Sequence, residues 1–177
     1  AADIVSGRNI LTVDLAQARA ALEKLPQVES TVVSRTFPRQ VSIAVTERRP
    51  VAWVIAKKGD DPLTSERSFL IDARGMVMRG RGYLPQYANF PVISGVEMEN
   101  FVAGKRVNSF AMVAALGLVT LNAENPRFQI RHIDLAKSCR LVVTDQRRAQ
   151  ITVGVQKIEA QLARLNRVLE LNEPSHQ

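Results

Sequence analysis

The 177 residues include one cysteine, two histidines and one tryptophan, so the sequence offers few of the groups on which catalysis is usually built. A lone thiol, Cys139, excludes an intrachain disulfide and leaves the redox surroundings open. No CxxC, HxxxH or clustered Asp/Glu set is present, so neither a metal nor another cofactor is expected. Aromatic residues make up only 5% of the chain, too few to suggest stacking platforms for single-stranded nucleic acid. The longest apolar run, Phe110 to Val119, falls well short of the about 20 residues that cross a bilayer. There is also no initiator methionine and no secretory leader. A chain beginning at Ala1 reads as a processed or excised piece, and the missing anchor does not count against a membrane protein.

What is present describes a folded protein. Hydrophobic residues make up 46% and charged residues 23%, well outside the range of disordered chains. The length sits between one large domain and two small ones. Lys and Arg outnumber Asp and Glu by 24 to 17, a net charge of +7, compatible with nucleic acid, an anionic membrane surface or an acidic partner. The basic residues come as scattered pairs, Arg48-Arg49, Lys57-Lys58 and Arg147-Arg148, and not as a continuous run, which disfavours nucleic acid.

Periodicity predicts the elements. Leu15, Ala18, Leu22 and Leu25 recur at helical spacing after a capping Asp14 and before Pro26. Val28 to Thr36, a turn at Phe37-Pro38-Arg39-Gln40 and alternating Val41, Ile43 and Val45 predict a hairpin with one buried face, covered by the preceding helix. Pro50 marks a break or an edge, and the domain boundary is placed there: residues 1–50, then 51–177. Val51 to Ala56 is a strand, Lys57 to Ser68 a polar loop. Phe69 to Ile71 and Met76 to Met78 form a hairpin around Asp72-Ala73-Arg74-Gly75, and Arg79 to Pro91 is irregular. Ser109 opens a helix to about Asn122 that is apolar nearly all round, implying deep burial or a partner. Strands follow at Ile130 to Leu135, Arg140 to Thr144 and Gln150 to Val153, with Leu141 and Val143 facing Ile151 and Val153. A last amphipathic helix carries Ile158, Leu162, Leu165 and Leu169. The fold class expected is α+β: a helix-plus-hairpin unit, then a mostly antiparallel sheet with two helices.

Candidate chemistry resolves into structural readings. His132 lies within a strand and His176 in the tail; a Cys139/His132 dyad is conceivable across a turn but has no flanking signature. Gly7, Gly80 and Gly82 lack the strand-to-helix context of a phosphate loop. Asp60, Asp61 and Asp72 sit in turns, where carboxylates bond to their own backbone.

Several motifs in order carry a resemblance. Gly7-Arg8-Asn9-Ile10, Asp14-Leu15, Leu25-Pro26-Gln27-Val28, Phe37-Pro38, Val41-Ser42-Ile43-Ala44-Val45 and Glu47-Arg48-Arg49-Pro50-Val51-Ala52-Trp53 resemble the POTRA domain of the FtsQ/DivIB family. The likeness continues into that family's β domain with Leu70-Ile71-Asp72-Ala73-Arg74-Gly75-Met76-Val77, Phe90-Pro91-Val92-Ile93-Ser94-Gly95, Ile151-Thr152-Val153-Gly154 and Leu162-Ala163-Arg164-Leu165. The resemblance implies the extracytoplasmic (periplasmic) part of a single-pass inner-membrane division protein without enzymatic activity. By the same resemblance the β domain binds an FtsB/FtsL-like pair by adding a strand to its C-terminal edge, and the POTRA unit contributes to recruitment by upstream division proteins. Ser30, Val33 and Arg35, before Phe37-Pro38, and Glu47 and Arg48 are the partner-binding candidates it implies. The POTRA unit is expected to be truncated, with only Asp3 to Ser6 left of its first strand. The strand that follows the last helix in the family is not found after Leu171-Asn172-Glu173-Pro174, and Cys139 stands where an aromatic is common.

The competing readings are a POTRA-bearing outer-membrane assembly or secretion factor, a basic nucleic-acid-binding α+β domain, and a thiol enzyme using Cys139 and His132. The first needs tandem POTRA repeats or a downstream barrel. The second requires steep salt-dependent binding to DNA or RNA. The expected result is no binding in a mobility-shift titration even at low salt; binding that weakens steeply with salt would favour that reading instead.

Overall fold

The computed structural model describes residues 9–80, 85–125, 127–137 and 139–171. The remnant strand expected at Asp3 to Ser6, with Gly7, Gly82, His176 and the segment after Leu171, lies outside these residues. Contacts divide the chain into two units, Ala1–Arg49 and Pro50–Gln177.

The first unit is small. Asn9 caps a 3-10 turn, Ile10–Thr12, through its side-chain oxygen, and Asp14 caps helix α1, Leu15–Glu23, by accepting the Gln17 N–H at 3.0 Å. Strands β1, Val28–Thr36, and β2, Gln40–Glu47, pair antiparallel, and α1 packs against β1. Val13, Ala18, Val28 and Thr31 are buried. The alternation in β2 was expected to mark a buried face, and the register does set Ile43 opposite Val33 and Val45 opposite Thr31. Burial does not follow, because Ile43 and Val45 remain 44% and 46% exposed. Leu25 falls past the end of the helix and is exposed as well. A period of two fixes which side chains share a face, but the cover over that face is a separate, tertiary matter.

The second unit is one seven-stranded sheet. Its strands are β3 (Pro50–Val54), β4 (Phe69–Asp72), β5 (Val77–Arg79), β6 (Val92–Ser94), β7 (Ile130–Lys137), β8 (Arg140–Asp145) and β9 (Gln150–Gly154). The spatial order is β5-β4-β3-β6-β7-β8-β9. Four pairings are antiparallel and two, β3 with β6 and β6 with β7, are parallel. The α+β class is as expected, and the parallel centre comes from β6, which sequence periodicity did not assign. Three residues between Pro91 and Gly95 are too few to show a period. Pro50, expected as a break or an edge, is the first residue of an interior strand, a position where a missing N–H is tolerated.

Side-chain alternation sorts the sheet into two faces. Ala52, Val54, Ile71, Val77, Ile93, Ile133, Leu141, Val143 and Val153 pack beneath α2, Phe110–Asn122, which contributes Met112, Ala115, Leu116 and Leu118, and beneath Leu162 of α3, Ile158–Leu171. Each valine, isoleucine, leucine or methionine among them contributes about 1.5–3 kcal/mol on removal from water. Ser109 caps α2 on the Met112 N–H. The helix is buried on one side only: Phe110, Val113 and Leu121 are 61%, 55% and 51% exposed. On the opposite sheet face Trp53, Leu70 and Met78 form a smaller cluster with Tyr87 and Phe90, and the Trp53 indole N–H donates to the Tyr87 carbonyl at 2.8 Å.

Turns are held by buried carboxylates. Asp72 accepts the N–H groups of Arg74 and Met76 at 2.9 and 2.7 Å, and Asp145 accepts that of Ala149 at 2.7 Å, which is the local role expected of turn aspartates. Gly75, with φ of 80°, closes the Asp72 turn; a Cβ there would meet the Val107 carbonyl oxygen at 2.1 Å.

Ile93 is fully buried at the centre of the sheet. Replacing it with alanine should cost about 2–5 kcal/mol, read as a lowered urea midpoint at unchanged m-value. A change below 1 kcal/mol would place the core elsewhere.

Candidate functional site

The five candidates in the first unit do not form one patch. Register places Ser30 opposite Thr46, Val33 opposite Ile43 and Arg35 opposite Val41, so Ser30 projects from one face of the hairpin and Val33 and Arg35 from the other. Ser30 and Glu47 are exposed and Val33 is half-buried. Arg35 donates from Nε to the Ile10 carbonyl at 3.0 Å and from Nη2 to the Val13 carbonyl, tying the 3-10 turn to the hairpin. Arg48 donates from Nε to the Pro26 carbonyl and from Nη2 to the Val28 carbonyl, each at 3.0 Å, while its own N–H donates to Gln27. Both guanidinium groups thus hold backbone in place. The edge of β1 carries an internal cap too: the Thr31 N–H donates to Glu23 Oε1 at 3.2 Å. The Arg19 hydrogen bond, aided by the one from Thr31, holds the Glu23 carboxyl below its ordinary pKa.

In the second unit the two sheet edges are treated differently. Residues 104–107 run along the outside of β5, with Val77 N–H donating to Lys105, Gly104 N–H to Val77 and Val107 N–H to Gly75, plus a bridge between Met76 and Arg106. That edge is closed. At the other end β9 is the last strand of the sheet among the described residues. The Asp145 N–H donates to the Ala149 carbonyl, which fixes the alternation of the β8–β9 ladder. Ile151 and Val153 therefore bond to β8, while the N–H and C=O groups of Gln150, Thr152 and Gly154 point outward. Alongside runs a groove between β9 and α3, lined by Ile151, Val153, Gln161, Arg164, Leu165 and Val168. Sequence periodicity pointed to Leu165 as a core position. It did not single out Thr152, Gln161 or Val168 as functional, since an edge is a property of sheet order.

This arrangement can hold an extended chain. It has backbone donors and acceptors in a row beside an apolar groove, and among the described residues no cluster that could ligate a metal. No helix among them is long and apolar enough to cross a membrane.

Comparison with known proteins supplies the lineage. Residues 1–48 match the family described as POTRA domain, FtsQ-type. A protein named Cell division protein FtsQ from Anaeromyxobacter sp. (strain K) is 28% identical over 166 residues, 92% of this chain and 53% of that protein. Another of the same name from Myxococcus fulvus is 25% identical over 177 residues, 95% of this chain and 57% of that protein. The chain is thus similar to FtsQ proteins over nearly all of its length, and its first 48 residues match the FtsQ-type POTRA domain. It spans a little over half the length of these two relatives. An FtsQ from Syntrophotalea carbinolica is 33% identical over 117 residues, 66% of this chain and 38% of that protein. Among solved structures, the major extracytoplasmic domain of the trans isomer of the cell division protein DivIB from Geobacillus stearothermophilus aligns at 14% identity with a TM-score of 0.39, covering 73% of this chain and 99% of that one.

In this chain the possible nucleophile and base are far apart. His132 lies on β7 opposite Thr144, whereas Cys139 adjoins Arg140, whose partner is Lys137. Five residues of strand at about 3.3 Å each put the two positions roughly 16 Å apart along the sheet. Cys139 is exposed, so it is the separation and not burial of the thiol that removes the dyad. His132 Nε2 instead shares a 2.9 Å hydrogen bond with the buried Ser94 hydroxyl, and no partner for Nδ1 is present among the described residues. Asp134, which would have to orient the ring in a triad, accepts the Ala136 N–H.

A second proton on His132 therefore has no acceptor. Burial, reinforced by the Lys58 charge and opposed by Asp134, lowers its pKa. Unfolded chains bind this proton below about pH 6.5 and the folded protein resists it. The His132 contribution to stability should be complete above that pH, decline as pH falls, and level off below the folded-state pKa. Urea titrations from pH 8 to 5 should show this loss in the native chain and a flatter profile in His132→Gln; identical profiles would contradict the assignment.

Proposed function

We propose that this chain is the extracytoplasmic part of a non-catalytic divisome scaffold, a protein that binds and links other division proteins during septum formation. In the whole protein a single membrane helix would anchor these units to the inner membrane, on its periplasmic side. The C-terminal edge of the sheet, which is β9 among the described residues, takes an extended segment of an FtsB/FtsL-like partner as an added strand. The hairpin carrying Ser30, Val33, Arg35, Glu47 and Arg48 serves upstream recruitment factors as a secondary surface. Neither a cofactor nor nucleic acid enters this function.

The observation that supports the reading is the contrast between the two edges of one sheet. Native sheets blunt exposed edges, as residues 104–107 do at β5. The outward backbone groups of Gln150 and Thr152 have instead a groove beside them. Strand addition exploits such a site: main-chain hydrogen bonds supply affinity and alternate side chains supply selectivity.

Thr152→Pro tests it with little disturbance to the sheet. The N–H it removes faces outward and plays no part in the β8 ladder. Pull-down of FtsB/FtsL-like partners by the full-length protein should fall at least about tenfold in this variant, the equivalent of about 1.4 kcal/mol. Undiminished capture by a folded variant would sink strand addition at β9.

A further inference from the structure

Two cavities open at the end of the sheet where the parallel strands β3, β6 and β7 begin. The larger, about 660 Å³, has Val51, Phe90, Pro91, Val119 and Ile130 in its walls. The smaller, about 460 Å³, is bounded by Leu63, Val92 and Arg131 among others. Asn89, Phe90, Ile130 and Gln146 line both, so the two are compartments of one trough. Three carboxamides, those of Asn89, Gln129 and Gln146, stand exposed on its rim and make no hydrogen bond among the described residues. Available charge beside the trough is of one sign. Arg131 lines it, and Arg147 and Arg148 follow Gln146 in the β8–β9 turn; all three are exposed and in no ion pair among the described residues. The nearby carboxylates are engaged in their own turns: Asp61 accepts the Leu63 N–H and the Thr64 hydroxyl, and Asp145 accepts the Ala149 N–H. Arg148 stands at φ 67°, in the left-handed region that glycine and asparagine occupy more readily.

We infer that this trough is a docking site for an extended acidic peptide segment of another protein. An apolar side chain of the segment fills the larger compartment, and carboxylates next to that anchor face the guanidinium groups of Arg131, Arg147 and Arg148. The rim carboxamides suit a peptide main chain, because each offers a donor and an acceptor side by side. A bilayer is a poor occupant: the apolar groups sit in the walls of a concavity and not on a projecting surface. Nucleic acid is a poor one too. Phe90 is the single aromatic among the described lining residues and is half-buried, which leaves no platform for stacked bases. The site belongs to the second unit and does not depend on strand addition at the sheet edge.

Amide NMR of the whole isotope-labelled chain tests the site. The probes are end-capped peptides reading Glu-Asp-X-Asp-Glu with leucine, valine, phenylalanine or serine at X, and a matched set with glutamine and asparagine in place of the acids. Acidic peptides with an apolar X should shift the Val51, Gln129 and Gln146 amides saturably, and their neutral counterparts should bind at least about fivefold more weakly. Arg147→Gln combined with Arg148→Asn should weaken the acidic peptides by a similar factor. Asparagine suits the backbone at that position, so an unchanged spectrum elsewhere separates lost affinity from lost fold. Ala123→Phe, at an exposed position on the wall of the larger compartment, should fill it and reduce the leucine peptide to the affinity of the serine one. The inference is overturned if no acidic peptide shifts these amides, if acidic and neutral sets bind equally, or if either variant binds as the native chain does. It is overturned as well if a thymidine oligonucleotide, or vesicles of phosphatidylcholine and phosphatidylglycerol, shift the same amides and the peptides do not.

Discussion

The second unit depends on three residues. Among the described residues, Val92, Ile93 and Ser94 connect the two antiparallel meanders of the sheet, β5-β4-β3 and β7-β8-β9. Pairing on both sides in parallel, β6 brings chain segments nearly forty residues apart into adjacent positions, a closure whose entropy has to be recovered by burial. Ile93 supplies much of that burial on the helix-covered face, and the Ser94 hydroxyl makes its cross-strand bond to His132 on the other. Gly95 then turns the chain away at φ 76°, where a Cβ would stand 2.5 Å from the Ala136 nitrogen.

That constraint also places the ends of the sheet. With β6 fixed, the first meander must finish at β5 and the second at β9, and the sequence treats the two termini in opposite ways. The stretch before α2 lies against β5 and satisfies its backbone. The stretch after β9 turns directly into α3, leaving the edge alongside the helix. An edge of this kind is a hazard unless it is reserved for a partner, and the net charge of +7 opposes close approach of two copies of the same chain.

Local chemistry was readable in the sequence wherever local chemistry decides the outcome. Asp14 and Ser109 mark helix starts, Asp72 and Gly75 a turn, and the pairing of Leu141 with Val153 and of Val143 with Ile151 follows from alternation about a short loop. What could not be read depends on segments remote in the chain. β6 is too short for a period, and its partners come from elsewhere. The exposure of Ile43 and Val45 depends on what lies over the hairpin. The candidate residues show the same division. Arg35 and Arg48 stood out as charges at strand ends, yet their hydrogen bonds go to backbone carbonyls twenty or more residues earlier.

The attachment of α3 has a kinetic side. Leu162 is its one buried side chain, Ile158, Leu165 and Leu169 pack partly buried against the same core, and polar contacts add to them: the Gln161 clasp on Gly154 at one end, and toward the other an asparagine relay in which Asn125 Nδ2 donates to both Asn122 and Asn166. A helix held by partly exposed apolar contacts and a few directional bonds can open locally at less than the free energy needed to unfold the sheet. Side-chain amides at the border of β9 therefore set part of the cost of such an opening without touching the core behind it.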